Sequence, residues 1–259
     1  MFSISTYISH LLSSAHFHYF CEVELFMKNY THIIFDLDRT LWDFDKAAHE
    51  TLHDLFALYV KPHTTFGFDY FYTRYREVNS GLWDLYRNKE ISKEVLRVKR
   101  FTLTLEELGL DRPWIANHLA DMYVQVVAQK AYLFPWALES LEYLLEKGYL
   151  MSVITNGFKE AQYPKVERCG LGKYFTHLFI SEEIGYNKPD RRIFDYATNT
   201  MNVNAESCIM IGDDYDVDIA GAAAAGIDQV YFNPHTVDGA ENKPATFRIK
   251  SLKELMNIF

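Results

Sequence analysis

Ile33-Ile34-Phe35-Asp36-Leu37-Asp38-Arg39-Thr40 is the stretch from which the rest of this chain can be read. Its three leading residues form an apolar run of the kind that makes a buried β-strand. Asp36 and Asp38 follow where that strand ends, so both carboxylates can face one substrate: one as nucleophile, the other as acid and base. The Thr40 hydroxyl, two residues further on, can hold a phosphate oxygen. Aspartate nucleophiles that form acyl-phosphates are an established route for phosphoryl transfer. An Asp-x-Asp-x-Thr pentapeptide by itself arises by chance in acidic loops; its place behind a strand and its downstream companions give it weight.

Those companions lie on a repeating pattern. Leu150–Thr155, Leu178–Ser181, Ser207–Ile211 and Gln229–Phe232 are short apolar runs without clean alternation, as in a parallel sheet covered on both faces. Helical patterns at Trp136–Glu146, Arg191–Met201 and Asp218–Ala225 lie between them. This rhythm predicts an α/β fold: a Rossmann-like, doubly wound parallel sheet with its ligand site at the carboxyl ends of the strands. From Asp45 to Lys130 the chain changes character, with amphipathic patterns at Tyr70–Tyr86, Lys93–Leu108 and Trp114–Ala128 and no strand signal. We expect residues 45–130 to form a helical cap, joined near Asp43 and near Phe134-Pro135 to a core made of residues 27–44 and 131–259. A lid placed directly after the first acidic loop can close on substrate and exclude water.

Size and composition suit this organisation. The 259 residues allow one substantial core with a smaller second module. A net charge of −9 argues against a nucleic-acid polymer as partner. A small anionic substrate is compatible with it if a metal ion and a few local cations offset the charge. Cys21, Cys169 and Cys208 are few and widely spaced, as in a reducing compartment, and point to the cytoplasm rather than a disulfide framework. Residues 1–26 are apolar and rich in Ser and His, without Lys or Arg. They lack the basic start of a secretory signal, and His10, His16, His18 and Glu22 interrupt any membrane span. We read them as an extension or loosely attached arm ahead of Met27, with no membrane as partner.

Three later motifs complete a phosphate site. Thr155-Asn156-Gly157 ends the second apolar strand, where a hydroxyl, an amide and free backbone N–H groups make a phosphate cradle. Lys188, in Asn187-Lys188-Pro189-Asp190, is kept out of a helix by the proline and can act as a point charge on phosphate and on the nucleophilic carboxylate. Gly212-Asp213-Asp214-Tyr215-Asp216-Val217-Asp218 holds four carboxylates in six residues, which repel unless a cation is near. Mg²⁺ takes one or two carboxylates with waters and substrate phosphate oxygens, and Asp213 would share it with Asp36. A calcium loop is excluded, because Ile219 stands at the turn position and Ala225 at the bidentate position. His49-Glu50-Thr51-Leu52-His53 matches the zinc-peptidase His-Glu-x-x-His pattern and competes as a metal site, with Glu50 as base. It explains none of the strand-end motifs, and a polar first helix of the lid accounts for it better.

In this order, Asp36-x-Asp38-x-Thr40-Leu41, Thr155, Lys188 and Gly212-Asp213 resemble the haloacid dehalogenase superfamily, from Tyr30 to the C-terminus. The insertion resembles that superfamily's first type of cap. Val78-Asn79-Ser80-Gly81-Leu82-Trp83, Ile154–Phe158 and Ile180–Gly185 running into Lys188-Pro189 are similar to its branch of pyrimidine 5′-nucleotidases. The resemblance implies a Mg²⁺-dependent phosphomonoesterase acting on a nucleoside monophosphate, with a sugar phosphate or other small metabolite as the alternative substrate. Asp36 would become an aspartyl-phosphate, and Asp38 would protonate the leaving oxygen and then activate water. Thr155 and Lys188 would hold the phosphoryl oxygens. Asp36, the Asp38 backbone carbonyl and Asp213 would hold Mg²⁺, with Thr40, Asn156, Gly157, Asp214 and Asp218 in support. Asp214 departs from the common Ser or Thr, and Pro135-Trp136 from a common Pro-Gly. Asn79, Trp83 and Tyr86 share one helical face and are candidates for selecting the base.

Overall fold

The computed structural model describes residues 29–235 and 243–259. The expected N-terminal arm, including Cys21 and Met27, lies outside the described residues. Six strands form one parallel sheet: β1 (His32–Phe35), β2 (Leu150–Thr155), β3 (Phe175–Ile180), β4 (Cys208–Gly212), β5 (Asp228–Phe232) and β6 (Phe247–Ile249). Their order is β3-β2-β1-β4-β5-β6. The chain thus leaves β1 for one side and later returns to the other, so the strand order reverses beside β1. In a doubly wound sheet the ligand crevice lies at such a reversal.

Burial explains why β1 is central. Ile33, Ile34 and Phe35 are fully buried, and β1 pairs in register with both neighbours, Ile34 opposite Ser152 and Met210. Removing each such side chain from water contributes about 1.5–3 kcal/mol. One sheet face is covered by the helices Arg191–Met201 and Ala220–Ala224, whose Ile193, Phe194, Ala197 and Ala222 pack on Ile34, Ile154 and Met210. The sequence expectation for the third strand was shorter and ended at Ser181; the strand runs Phe175–Ile180, and Ser181 opens the next helix. The helix expected over Asp218–Ala225 is a wide turn at Tyr215–Ile219 followed by Ala220–Ala224.

An α-helical cap is inserted between β1 and β2. It comprises α1 (Phe44–Leu55), α2 (Phe68–Arg87), α3 (Lys93–Glu107) and α4 (Pro113–Val127). Asp43 caps α1 by accepting from the Lys46 N–H at 3.1 Å, Ser92 caps α3, and Pro113 sits in the first turn of α4, where its missing N–H is harmless. Apolar stripes close these helices on one another around Phe71, Tyr75, Phe101, Leu119 and Tyr123, all buried. The two linkers run side by side: Asp43 N–H bonds Tyr132 O at 2.9 Å and Phe134 N–H bonds Leu41 O at 2.9 Å. Just beyond, Trp136 takes a left-handed backbone, φ 70°, ahead of the helix Ala137–Glu146. That conformation favours glycine, which accounts for the Pro-Gly common at this junction.

The cap also rests on the core beyond its linkers. Trp83 stacks on Phe158 with ring centroids 5.3 Å apart, and Tyr86 meets the same ring edge-on. Lys93 reaches Glu160 at 2.6 Å and Glu182 at 2.8 Å. Among the described residues no helix is long and apolar enough to cross a membrane.

Candidate active site

Strand ends bring the sequence-predicted groups together. Asp36 follows β1 directly, and its N–H still bonds Ile211 O at 2.8 Å, so β1 and β4 aim it at the crevice. Lys188 Nζ lies 2.6 Å from Asp36 Oδ1 and 2.7 Å from Asp218 Oδ1, with a side chain only 1% exposed. Asn156 fixes the loop that delivers this lysine. Its Oδ1 accepts from the Lys188 N–H at 2.8 Å, and its Nδ2 donates to Lys188 O at 2.9 Å. The Lys188–Pro189 peptide is cis. Thr155 is buried, and its hydroxyl oxygen accepts from the Gly157 N–H at 3.1 Å.

Charge is concentrated here. Burial pushes Asp36 up to about 7, with Lys188 pulling it down and Asp218 pushing it up. Burial and the charges of Asp36 and Asp218 hold Asp213 well above the ordinary carboxylate range. Asp218 is raised by burial against the pull of Lys188. Burial disfavours the charged form of Lys188, yet Asp218 and Asp36 more than offset this and raise it, so the lysine stays a cation. Asp36, Asp213 and Asp218 each offer a carboxylate oxygen, all within 4.8 Å of one another. Such a group suits a small hard cation: the repulsion among the carboxylates is what an ion would relieve. Thr40 Oγ1 donates to Asp213 Oδ1 at 3.2 Å. Asp214 instead caps the turn Tyr215–Ile219, its Oδ1 accepting from the Asp216 and Val217 N–H groups at 3.1 Å each. Gly212 is required by proximity, because a Cβ there would meet Asp218 Oδ2 at 2.4 Å.

Asp38 is held by two side chains that the sequence reading did not single out. Lys165 Nζ lies 2.6 Å from Asp38 Oδ1, and Gln162 Nε2 donates to Asp38 Oδ2 at 2.9 Å. Both belong to the helix Lys159–Arg168 and are buried, with Lys165 also 4.0 Å above the Trp42 ring. A Cβ on Gly157 would stand 1.6 Å from Gln162 Nε2, so glycine lets the amide through. Pro164 interrupts the helix pattern, and only the Gln-x-x-Lys spacing on one face of that helix could have signalled the pair.

A cavity of about 670 Å³ opens from these groups toward the cap. Asn79 and Trp83 line it, as do Tyr72, Tyr75, Arg100 and Tyr123; Tyr86 sits instead in the apolar cluster with Leu82, Leu96 and Phe158. His49 and His53 pack edge-on against Phe68, and Glu50 accepts from the Tyr132 hydroxyl beside the linkers. Among the described residues the group able to hold a metal is Asp36, Asp213 and Asp218, without either histidine.

This constellation and fold define a hydrolase class. A profile for haloacid dehalogenase-like hydrolases matches residues 30–226, and the chain belongs to that family. Pyrimidine 5′-nucleotidase PynA of Streptococcus pneumoniae is 30% identical over 229 residues, covering 88% of this chain and 94% of the relative. Pyrimidine 5′-nucleotidase YjjG of Escherichia coli is 33% identical over 224 residues, covering 86% and 95%. The crystal structure of the HAD-hydrolase YfnB from Bacillus subtilis bound to magnesium superimposes with a TM-score of 0.80 at 27% identity, covering 89% of this chain and 99% of that one.

Proposed function

We propose that this protein is a magnesium-dependent phosphomonoesterase that hydrolyses nucleoside 5′-monophosphates, pyrimidine nucleotides foremost. The observation that carries the reading is Asp36, held by buried Lys188 beside Asp213 at the floor of a cavity roofed by the cap. The similarity to PynA and YjjG supports the choice of nucleotide, and the reading includes cytoplasmic action on a small metabolite.

Asp36 attacks phosphorus through the carboxylate oxygen that Lys188 does not hold. An O–P bond to Asp36 forms as the bond to the leaving oxygen breaks, and Asp38 supplies the proton that oxygen takes. Asp38 then removes a proton from water, which attacks phosphorus and releases phosphate and free Asp36. Lys188 and Thr155 hold the equatorial oxygens; positioning and charge are nearly all such a transfer asks of a protein. Asp36, Asp213 and the Asp38 backbone carbonyl would hold Mg²⁺, leaving Asp218 to Lys188. The ion would supply charge stabilisation for the phosphoryl group. Gln162 and Lys165 fix the Asp38 carboxylate, and the cap closes the cavity against water.

The test is phosphate release with Mg²⁺ from nucleoside monophosphates and sugar phosphates, with Asp36→Asn alongside. Release from nucleotides should fall by about 10⁴-fold or more in the variant, as when a nucleophile is removed. Undiminished release would refute Asp36 as nucleophile, and release confined to sugar phosphates would refute the nucleotide.

A further inference from the structure

Arg100, on the cap wall of the cavity, is 3% exposed, and its Nε and Nη2 have no hydrogen-bond partner among the described residues. These two nitrogens form the side-on fork of the guanidinium, a pair of parallel N–H donors suited to two adjacent acceptors. The guanidinium carbon lies 4.5 Å above the Tyr123 ring, which covers one face of the group. Asn79 Oδ1 is likewise buried without a partner, and Asn79 lines the same cavity. The two residues come from the same part of the α2–α3 interface. Tyr75 stacks on Phe101 at 5.3 Å, Leu82 and Leu96 share one apolar cluster, and these contacts bracket Asn79 and Arg100 on the facing helices.

A buried cation with two unused donors, in a cavity wall that also holds an unused acceptor, is unfavourable until something pairs with it. We propose that Arg100 and Asn79 form the leaving-group subsite and that its ligand is a cytosine base. This rests on the nucleotide reading above. Cytosine presents O2 and N3 as adjacent acceptors for the fork, with the N4 amino group as donor for Asn79 Oδ1. Uracil carries N–H at position 3 and would turn it toward a donor. The N7 and O6 pair of guanine also fills the fork, with N1–H beside O6 as a donor, so guanine is the competing base; the similarity to pyrimidine nucleotidases favours cytosine over it. A second phosphate or a carboxylate also fills the fork, and sets a further acceptor against Asn79 Oδ1.

The experiment measures kcat/KM on the intact enzyme with Mg²⁺ for CMP, UMP, GMP, 3-deaza-CMP, ribulose 1,5-bisphosphate and phenyl phosphate. CMP should exceed UMP by about ten- to hundredfold, the discrimination expected of one bidentate arginine contact, and 3-deaza-CMP, which lacks the N3 acceptor, should fall to near UMP. Arg100→Met should lower the ratio of CMP to phenyl phosphate by about a hundredfold, and Asn79→Leu by about tenfold. Equal rates for CMP and 3-deaza-CMP overturn the proposal even if the Arg100 variant fails to fold, because that comparison needs only the parent enzyme. Preference for UMP or GMP overturns it as well. So does an Arg100-dependent preference for the bisphosphate, which would assign the fork to a second anion. If phenyl phosphate is hydrolysed in an Asp36-dependent way and no nucleotide is, the nucleotide reading falls first and this subsite with it.

Discussion

The floor of the cavity and its cap wall handle buried charge in opposite ways. On the floor both buried lysines are paired with carboxylates: Asp36 and Asp218 share Lys188, and Asp38 is held by Lys165 and Gln162. On the wall Arg100 and Asn79 keep buried atoms without partners. Paired charges fix geometry before substrate arrives, which is what a step common to many substrates needs. Unpaired groups gain only when a ligand brings the complementary edge, which is what selection needs.

Substitution of one cation from each region is the sharpest way to break this contrast. Lys188→Met leaves Asp36 and Asp218 buried without a counter-charge, and should cost about 3–5 kcal/mol, lowering Tm by roughly 10 °C at neutral pH. Arg100→Met removes a cation that has no carboxylate to lose, and stability should stay within about 1 kcal/mol of the parent or rise. Thermal unfolding of both variants checks this; equal losses would erase the distinction between the two regions.

Asp38 gives the next largest effect. Lys165→Met frees one of its oxygens, and kcat should fall about a hundredfold with KM little changed, as for misplacement of a reacting group by about 1 Å. Lys165→Arg should recover part of the loss. A rise in KM alone would mean that Lys165 binds substrate rather than positioning Asp38.

Proton linkage sharpens the contrast more gently. Asp36 is pushed up to about 7, and Asp213 and Asp218 are also raised, so the folded protein binds more protons at these sites than the unfolded chain does. Their contribution to stability is most favourable below the ordinary aspartate range, near 4, and is lost as pH rises toward about 7. Mg²⁺ relieves the same repulsion. At a hundredfold excess over Kd it should add about 2.7 kcal/mol, and its Tm increment should be larger at pH 8 than at pH 5. Equal increments at the two pH values would place the ion elsewhere.

The strand-end motifs were legible because their information is local. Asp36, Thr155 and Asp213 each follow a contiguous apolar run, and a parallel sheet delivers all such ends to one edge, so the chain alone determined the α/β class, the inserted helices and the strand-end groups of the charged floor. The partners of Asp38 were not legible. Lys159–Arg168 carries Pro164 and a weak apolar stripe, so nothing in that stretch singles out Gln162 and Lys165. The short strand Phe247–Ile249 was missed for a related reason: three residues hold no period. The tertiary structure alone decided where the helical face of Asn79, Trp83 and Tyr86 would divide. Trp83 and Asn79 border the cavity, Trp83 while also stacked on Phe158, whereas Tyr86 does not line it and packs edge-on against Trp83 and Phe158. It also set Arg100 over Tyr123 with two donors unused. Sequence periodicity tells which face of a helix is buried; whether a buried polar atom meets a partner depends on the neighbouring helix, from which no short stretch of chain can be read.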